Sequence, residues 1–173
     1  LLLAYYIAAV NIETTYQDLV RGSLAEGAAY EPFPGLVLTD TFQSWEDDDT
    51  LDDDVFFQNN HRLEQLKKLD LRVLVGNPPY SSGQDSANDD NANEHYPHLD
   101  QAIDDTYGAR STARLKISLH DSYIRAVKWA SLRLKDRGVV AYVTNGGWID
   151  SNSADGMRLS LAEEFSDIHI YNL

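Results

Sequence analysis

Cysteine is absent from the 173 residues. This excludes disulfides and thiolate metal centres and fits a reducing, cytoplasmic setting. Basic residues are scarce: 14 Lys and Arg stand against 28 Asp and Glu, a formal net charge of −14 at pH 7. Taken alone, that balance argues against a nucleic-acid binder, which ordinarily carries a basic footprint. Much of the excess is local, since Glu46-Asp47-Asp48-Asp49 and Asp52-Asp53-Asp54 put seven acids within nine residues. Clustered like charges repel and stay hydrated, so the run reads as a solvated loop. Long hydrophobic runs are also missing. The most apolar stretch, Leu1 to Val10, is too short to span a bilayer and lacks the basic flank of a signal peptide, so no membrane partner is expected. It lacks an initiator Met and reads as a helix cut by the chain boundary, inside a larger protein. His95, His98 and His120 have no spacing that brings three ligands together, and no metal site is expected.

What is present is enough for one core. The chain has one domain's length, and 43% of it is hydrophobic. Leu3 to Tyr16 reads as a helix ending near Thr14-Thr15 and Gly22, followed by a loop over Glu26 to Gly35. Leu36 to Thr39 reads as a short strand, and Asn60 to Leu69 as a helix with Lys67 and Lys68 favourable to its dipole. Val73 to Gly76 reads as a buried central strand. Ser81 to Asn93 is too polar to form core, and a mobile loop is expected at about 81–95. A short helix within Tyr96 to Tyr107 turns Leu99 and Ile103 inward. Apolar steps of three and four predict one long helix from about Ala113 to Asp136, with Trp129 in the core and Gly138 beyond its end. Val139 to Thr144 is a strand, Asn145 to Trp148 a turn, Asp155 to Phe165 a helix and Ile168 to Tyr171 a last strand. Alternation of this kind predicts an α/β fold with a doubly wound, mostly parallel sheet in a single domain.

The most specific stretch is Asn77-Pro78-Pro79-Tyr80, directly after the Val73 to Gly76 strand. Prolines remove N–H groups and bias the preceding residue away from the helical region. The turn is therefore rigid and extended at the carboxyl end of a strand, where open α/β sheets put their ligands. An amide, fixed carbonyls and an aromatic ring converge there. Such a set suits methylation of an exocyclic adenine amine, whose lone pair is delocalised into the ring. The Asn77 side-chain oxygen and the Pro78 carbonyl would accept from the amine and stabilise the charge that develops on it. Tyr80 would stack on a base swung out of the duplex. Asp40, one residue past a short strand, suits a ribose hydroxyl or adenine amine, although capping of the next turn accounts for it equally well. Trp148, after two glycines, is a candidate for substrate contact. Arg110 and Arg114 are candidates for the DNA backbone.

Val75 to Tyr80 resembles the catalytic motif of the amino-group DNA methyltransferases that form N6-methyladenine from S-adenosylmethionine. Tyr96-Pro97, Leu99-Asp100, Thr106-Tyr107 and Asp121 to Ala130 resemble the modification region of the single-chain Type ISP restriction–modification enzymes. The resemblance implies a Rossmann-like methyltransferase fold, incomplete at both ends. It makes Asn77, Pro78, Pro79 and Tyr80 the catalytic turn, Asp40, Thr41, Phe42 and Asn77 the contacts to S-adenosylmethionine, and the helix around Asp121 to Trp129 the element that lines the cofactor and target pocket. It implies double-stranded DNA as partner through a full-length enzyme whose translocase, nuclease and target-recognition domains share the polypeptide. The basic grip on DNA would then belong to those domains. The family's Gly-containing cofactor loop and ribose-binding acid do not stand in this sequence, so the 173 residues alone are expected to be inactive. Two rivals stay open. One is methylation of RNA adenine or protein glutamine by the same turn, and the other is a degenerate methyltransferase fold used as a binding module. The long loop after Tyr80 favours duplex DNA.

Overall fold

The structure is a computed structural model and describes residues 2–21, 30–46, 53–79 and 95–172. The chain divides into two units, Leu1–Asp40 with Thr50–Leu69, and Thr41–Asp49 with Asp70–Leu173. Tyr80 and nearly all of the polar loop expected at about 81–95 lie outside the described residues, as do Asp47 to Asp52 of the acidic run. No helix among the described residues is long and apolar enough to cross a membrane.

In the first unit, α1 (Leu2–Arg21) runs past the expected stop at Thr14-Thr15. The Thr15 hydroxyl donates to the Asn11 carbonyl one turn back at 2.9 Å, a local bond that lets a helix carry a poor helix former. Glu13 anchors the following segment: one carboxylate oxygen accepts from the Tyr30 hydroxyl at 2.7 Å and the other from the Phe33 N–H at 3.0 Å. These bonds lower the Glu13 pKa, the Tyr30 hydroxyl contributing most. The Tyr16 and Phe33 rings meet at 5.2 Å. The helix expected from Asn60 begins earlier, as α2 (Asp53–Lys68), so Asp53 and Asp54 belong to a helix and not to a surface loop. It is kinked at Phe56 (φ −116, ψ 21).

The strand expected at Leu36 to Thr39 does not form. Its backbone groups are satisfied by side chains of α2. Asn59 Oδ1 accepts from the Leu38 N–H at 2.7 Å, Asn59 Nδ2 donates to the Leu38 carbonyl at 2.8 Å, and Arg62 donates to the Leu36 carbonyl at 3.3 Å. A side-chain amide thus serves both groups of Leu38 that a ladder neighbour would serve.

In the second unit, β1 (Val73–Gly76) and β2 (Val139–Tyr142) pair in parallel, Val73 with Val139 through Gly76 with Tyr142. They are the two strands of the sheet among the described residues. The connection between them carries helices, as a parallel pair requires. β1 is not buried on both faces: Leu74 and Gly76 are half-buried, whereas Val75 is 77% exposed. Gly138 precedes β2 where a Cβ would lie 2.8 Å from the Arg72 carbonyl oxygen and 2.6 Å from Leu134 Cδ2. Its lack of a side chain is what lets the two strand entries approach. Ile168 to Tyr171 is exposed and irregular rather than a strand.

The core is helical. After β1 come α3 (Pro97–Ile103), continued by a π turn over Asp104–Gly108, then a 3-10 turn at Ile117–His120 and α4 (Ser122–Arg133). After β2 come α5 (Gly147–Asp150) and α6 (Asp155–Glu164). Ile103, Tyr107, Leu119, Tyr123, Ile124, Ala154, Met157 and Leu161 pack into one cluster. The single helix expected from Ala113 to Asp136 is therefore interrupted: Asp121 is extended (φ −61, ψ 142) and α4 starts after it. His120-Asp121-Ser122 are weak helix formers that suit a helix start. Leu115, counted into the periodic stripe, is 76% exposed, while Leu119 is buried.

Asp155 opens α6 and ties it to the segment before α4. It accepts from the Thr112 hydroxyl at 2.6 Å, the Thr112 N–H at 3.0 Å and the Gly156 N–H at 2.7 Å. The Ser111 side chain, then Thr112, hold its carboxyl well below the ordinary value of 3.8, outweighing burial, which acts in the opposite sense. A depressed carboxyl stabilises the fold fully above its unfolded value, and the contribution disappears as pH falls through the folded value. Asp155→Asn is accordingly expected to lower stability at neutral pH and to flatten its decline below about pH 4. Urea unfolding across pH checks this, and an unchanged acid limb counts against it.

Candidate functional site

The β1–β2 ladder reaches Gly76, whose carbonyl accepts from the Val143 N–H at 3.1 Å. The chain then leaves the sheet through Asn77, Pro78 and Pro79, and the two prolines bring no donor that could prolong pairing. The turn forms one end of a cleft of about 410 Å³, within the roughly 300–1,000 Å³ usual for small-molecule sites. Thr41 and Phe42 form one wall, Ala126 and Trp129 of α4 another, and Tyr142 of β2 closes the sheet side. Asn77 is exposed and Pro78 half-buried.

The walls are stiff because of what stands behind them. The Phe42 ring meets Tyr96 edge to face at 5.3 Å and 82°. Tyr96 is buried, and the Arg125 guanidinium lies 5.1 Å from its ring centre. Arg125 is held in turn by both Asp100 oxygens, at 2.7 and 2.8 Å. Such a buried ion pair is costly to break from one side, because an uncompensated charge remains. Asp121, in front of α4, has its carboxyl raised by burial, with Arg125 opposing. Burial likewise raises the Tyr142 hydroxyl. Trp129 Nε1 is buried with no hydrogen-bond partner among the described residues. A buried donor left unpaired loses free energy and gains if a ligand atom or rotation supplies an acceptor.

Of the residues singled out in the sequence, Thr41, Phe42, Asn77, Pro78 and Pro79 thus come together in one cleft. Tyr80 lies outside the described residues. Asp40 ends the first unit, while Thr41 begins the second. Trp148 lines a different cavity of about 740 Å³, with Val140, Met157, Leu161 and Phe165 among its walls. Arg110 and Arg114 are outside the cleft lining. Arg110 is engaged by Glu163 at 2.6 Å, which raises its pKa, and Arg114 is exposed. Trp129, expected in the core from periodicity, is instead on the cleft wall, in the helix that the resemblance assigned to the pocket. Apolar periodicity marks the covered side of a helix but does not separate cover by core from cover by a cleft. Ala126 belongs to the helix that the resemblance assigned to the pocket, whereas Tyr142 carried no signal of its own.

No protein-family model matches the chain, and no curated protein matches it. Solved structures do. A nuclease-deletion mutant of the Type ISP restriction-modification enzyme LlaGI, in complex with a DNA substrate mimic, is 47% identical over 95% of this chain, with a TM-score of 0.83. The ATP-dependent Type ISP restriction-modification enzyme LlaBIII bound to DNA is 46% identical over 95%, with a TM-score of 0.82. A DrdV–DNA complex is 39% identical over 95%, with a TM-score of 0.79. The chain spans 13%, 11% and 15% of the length of these three proteins.

Proposed function

We propose that these residues are the target-amine half of a DNA adenine N6-methyltransferase within a Type ISP-like restriction–modification enzyme. The single observation that carries the reading is the shared cleft of Asn77, Pro78 and Pro79 with Thr41 and Phe42. In support, segments of two Type ISP enzymes bound to DNA or a DNA mimic match 95% of the chain at 46–47% identity. Translocase, nuclease and target-recognition parts in the same polypeptide, and double-stranded DNA as partner, belong to the same proposal.

The adenine end of S-adenosylmethionine fits the residues present. Phe42, Trp129 and Tyr142 offer flat apolar surface to an adenine, and the orphaned Trp129 N–H offers a donor in need of an acceptor. When bound, the cofactor supplies a methyl activated by sulfonium charge. The protein's part is to present the amine. Asn77 Oδ1 and the Pro78 carbonyl accept hydrogen bonds from the two N–H groups of the target amine and favour a tetrahedral nitrogen. Were the methyl to pass to nitrogen as its bond to sulfur breaks and leaves a neutral thioether, positive charge would grow on that nitrogen beside two acceptors that need no reorganisation at that moment. The extra proton is then shed to water, and no side chain with a tuned pKa is required. Tyr80, which follows Pro79 in sequence, would stack on the extruded base.

The test is transfer of labelled methyl from S-adenosylmethionine by the full-length polypeptide, offered duplex DNA, RNA and protein in parallel. Label is expected in DNA adenine. Label confined to RNA or to protein glutamine moves the site to another planar amine, and no label in any arm makes the fold a binding module.

A further inference from the structure

Glu46, the first residue of the acidic run, is not solvated. Glu46 ends the short turn Gln43–Trp45, and its side chain is 6% exposed. Its carboxylate accepts from the His98 N–H at 2.9 Å and the Leu99 N–H at 3.1 Å, while His98 Nδ1 lies 3.6 Å away. Those amides belong to the first turn of α3, where a helix has donors without internal acceptors. The Tyr96 side chain, at the capping position, does not itself cap the helix. Glu46 therefore does from 52 residues away in sequence what a capping side chain ordinarily does locally.

The consequence lies four and five residues earlier. Thr41 and Phe42 line the cleft, and the segment they begin is fastened to α3 at both ends, by Phe42 on Tyr96 and by Glu46 on the α3 amides. Tyr96 also bears Arg125, the neighbour of cleft-lining Ala126 on α4. The start of α3 is thus common support for two cleft walls. Glu46 itself does not line the cleft.

We propose that Glu46 is a positioning residue, which by capping α3 fixes Thr41 and Phe42 and so sets the cleft's affinity for the adenosyl part of the methyl donor. The inference rests on the methyltransferase reading above. Each charge-assisted bond is worth enough to move an equilibrium about tenfold.

The experiment compares wild type, Glu46→Gln and Glu46→Ala in the full-length polypeptide, measuring S-adenosylmethionine binding and methyl transfer at saturating donor. Glu46→Ala is expected to weaken donor binding about tenfold while kcat stays within about twofold. Glu46→Gln, which keeps one acceptor oxygen, is expected to fall between the two. A merely structural role would lower kcat through loss of active protein and leave the affinity of the remainder unchanged, which overturns the proposal. Unchanged donor affinity in both variants overturns it too. Should Glu46→Ala not fold, Glu46→Gln decides: wild-type affinity despite faster hydrogen exchange at the His98 and Leu99 amides is a negative result. If wild type itself binds no S-adenosylmethionine, the methyltransferase reading falls and takes this inference with it. If wild type binds and the variants match it, only the role of Glu46 is lost.

Discussion

Asn77→Ala in the full-length polypeptide is expected to cut methyl transfer by at least about 100-fold, the usual cost of removing one preorganised group from a developing charge. The fold should be spared. Asn77 lies just beyond the last ladder bond, Val143 N–H to the Gly76 carbonyl, and its side chain is exposed. Truncation there opens no cavity among the residues of the core cluster. Circular dichroism and thermal melting should match wild type, and donor affinity should fall far less than kcat, because Thr41, Phe42 and Trp129 are untouched. Asn77→Asp keeps acceptor oxygens and is expected to retain more activity than Asn77→Ala. The mechanism fails if Asn77→Ala keeps its rate within tenfold of wild type, since the Pro78 carbonyl alone would then be doing the accepting.

Much of the second unit was legible, and for identifiable reasons. Val73 to Gly76 announces a strand because an apolar run meets two prolines, and α3 announces itself through Leu99 and Ile103, both buried as expected. α6 was readable at both ends. The errors share a cause, which is that strand and cap are relations between segments. Leu36 to Thr39 has strand composition, but Asn59 and Arg62 take the place of a ladder neighbour. Ile168 to Tyr171 has strand composition and no ladder among the described residues. Glu46 was read with its acidic neighbours as solvated, because its helix partner comes 52 residues later. The break before α4 was hidden by periodicity, since Leu115 continues the apolar stripe although it faces solvent. At the cleft, the resemblance singled out Thr41, Phe42, the turn at Asn77 and the helix that carries Ala126 and Trp129. Nothing local in the sequence showed that Tyr142 would join them.

Gly156→Ala is expected to destabilise the protein by more than about 3 kcal/mol, through overpacking against backbone. In an ordinary helix the same change gains about 1 kcal/mol, so the sign itself is diagnostic. Here the added Cβ would stand 2.0 Å from the Tyr107 carbonyl oxygen, 2.7 Å from Ser111 N and 3.0 Å from Arg110 C. All three are backbone atoms, and no flexible side chain can step aside. The opposing segment cannot easily retreat, because Tyr107 is fully buried and the Gly108 carbonyl is held by Lys116 Nζ at 2.5 Å and by the Ser111 N–H at 3.2 Å. Nor can α6 back away without loosening Asp155 from Thr112 and lifting Met157 and Leu161 from the core cluster. A fall in melting temperature of roughly 6–12 °C is expected from this size of loss in a chain of this length. Wild-type or higher stability would mean that α6 and the π turn are less closely docked than the structure has them. The effect should also reach the cleft. Met157 packs in one cluster with Tyr123 and Ile124 of α4, and that helix carries Ala126 and Trp129 into the cleft wall. Donor affinity in Gly156→Ala should therefore decline on warming well before the unfolding midpoint, whereas the small loss of donor affinity in Asn77→Ala should not grow on warming until the protein unfolds.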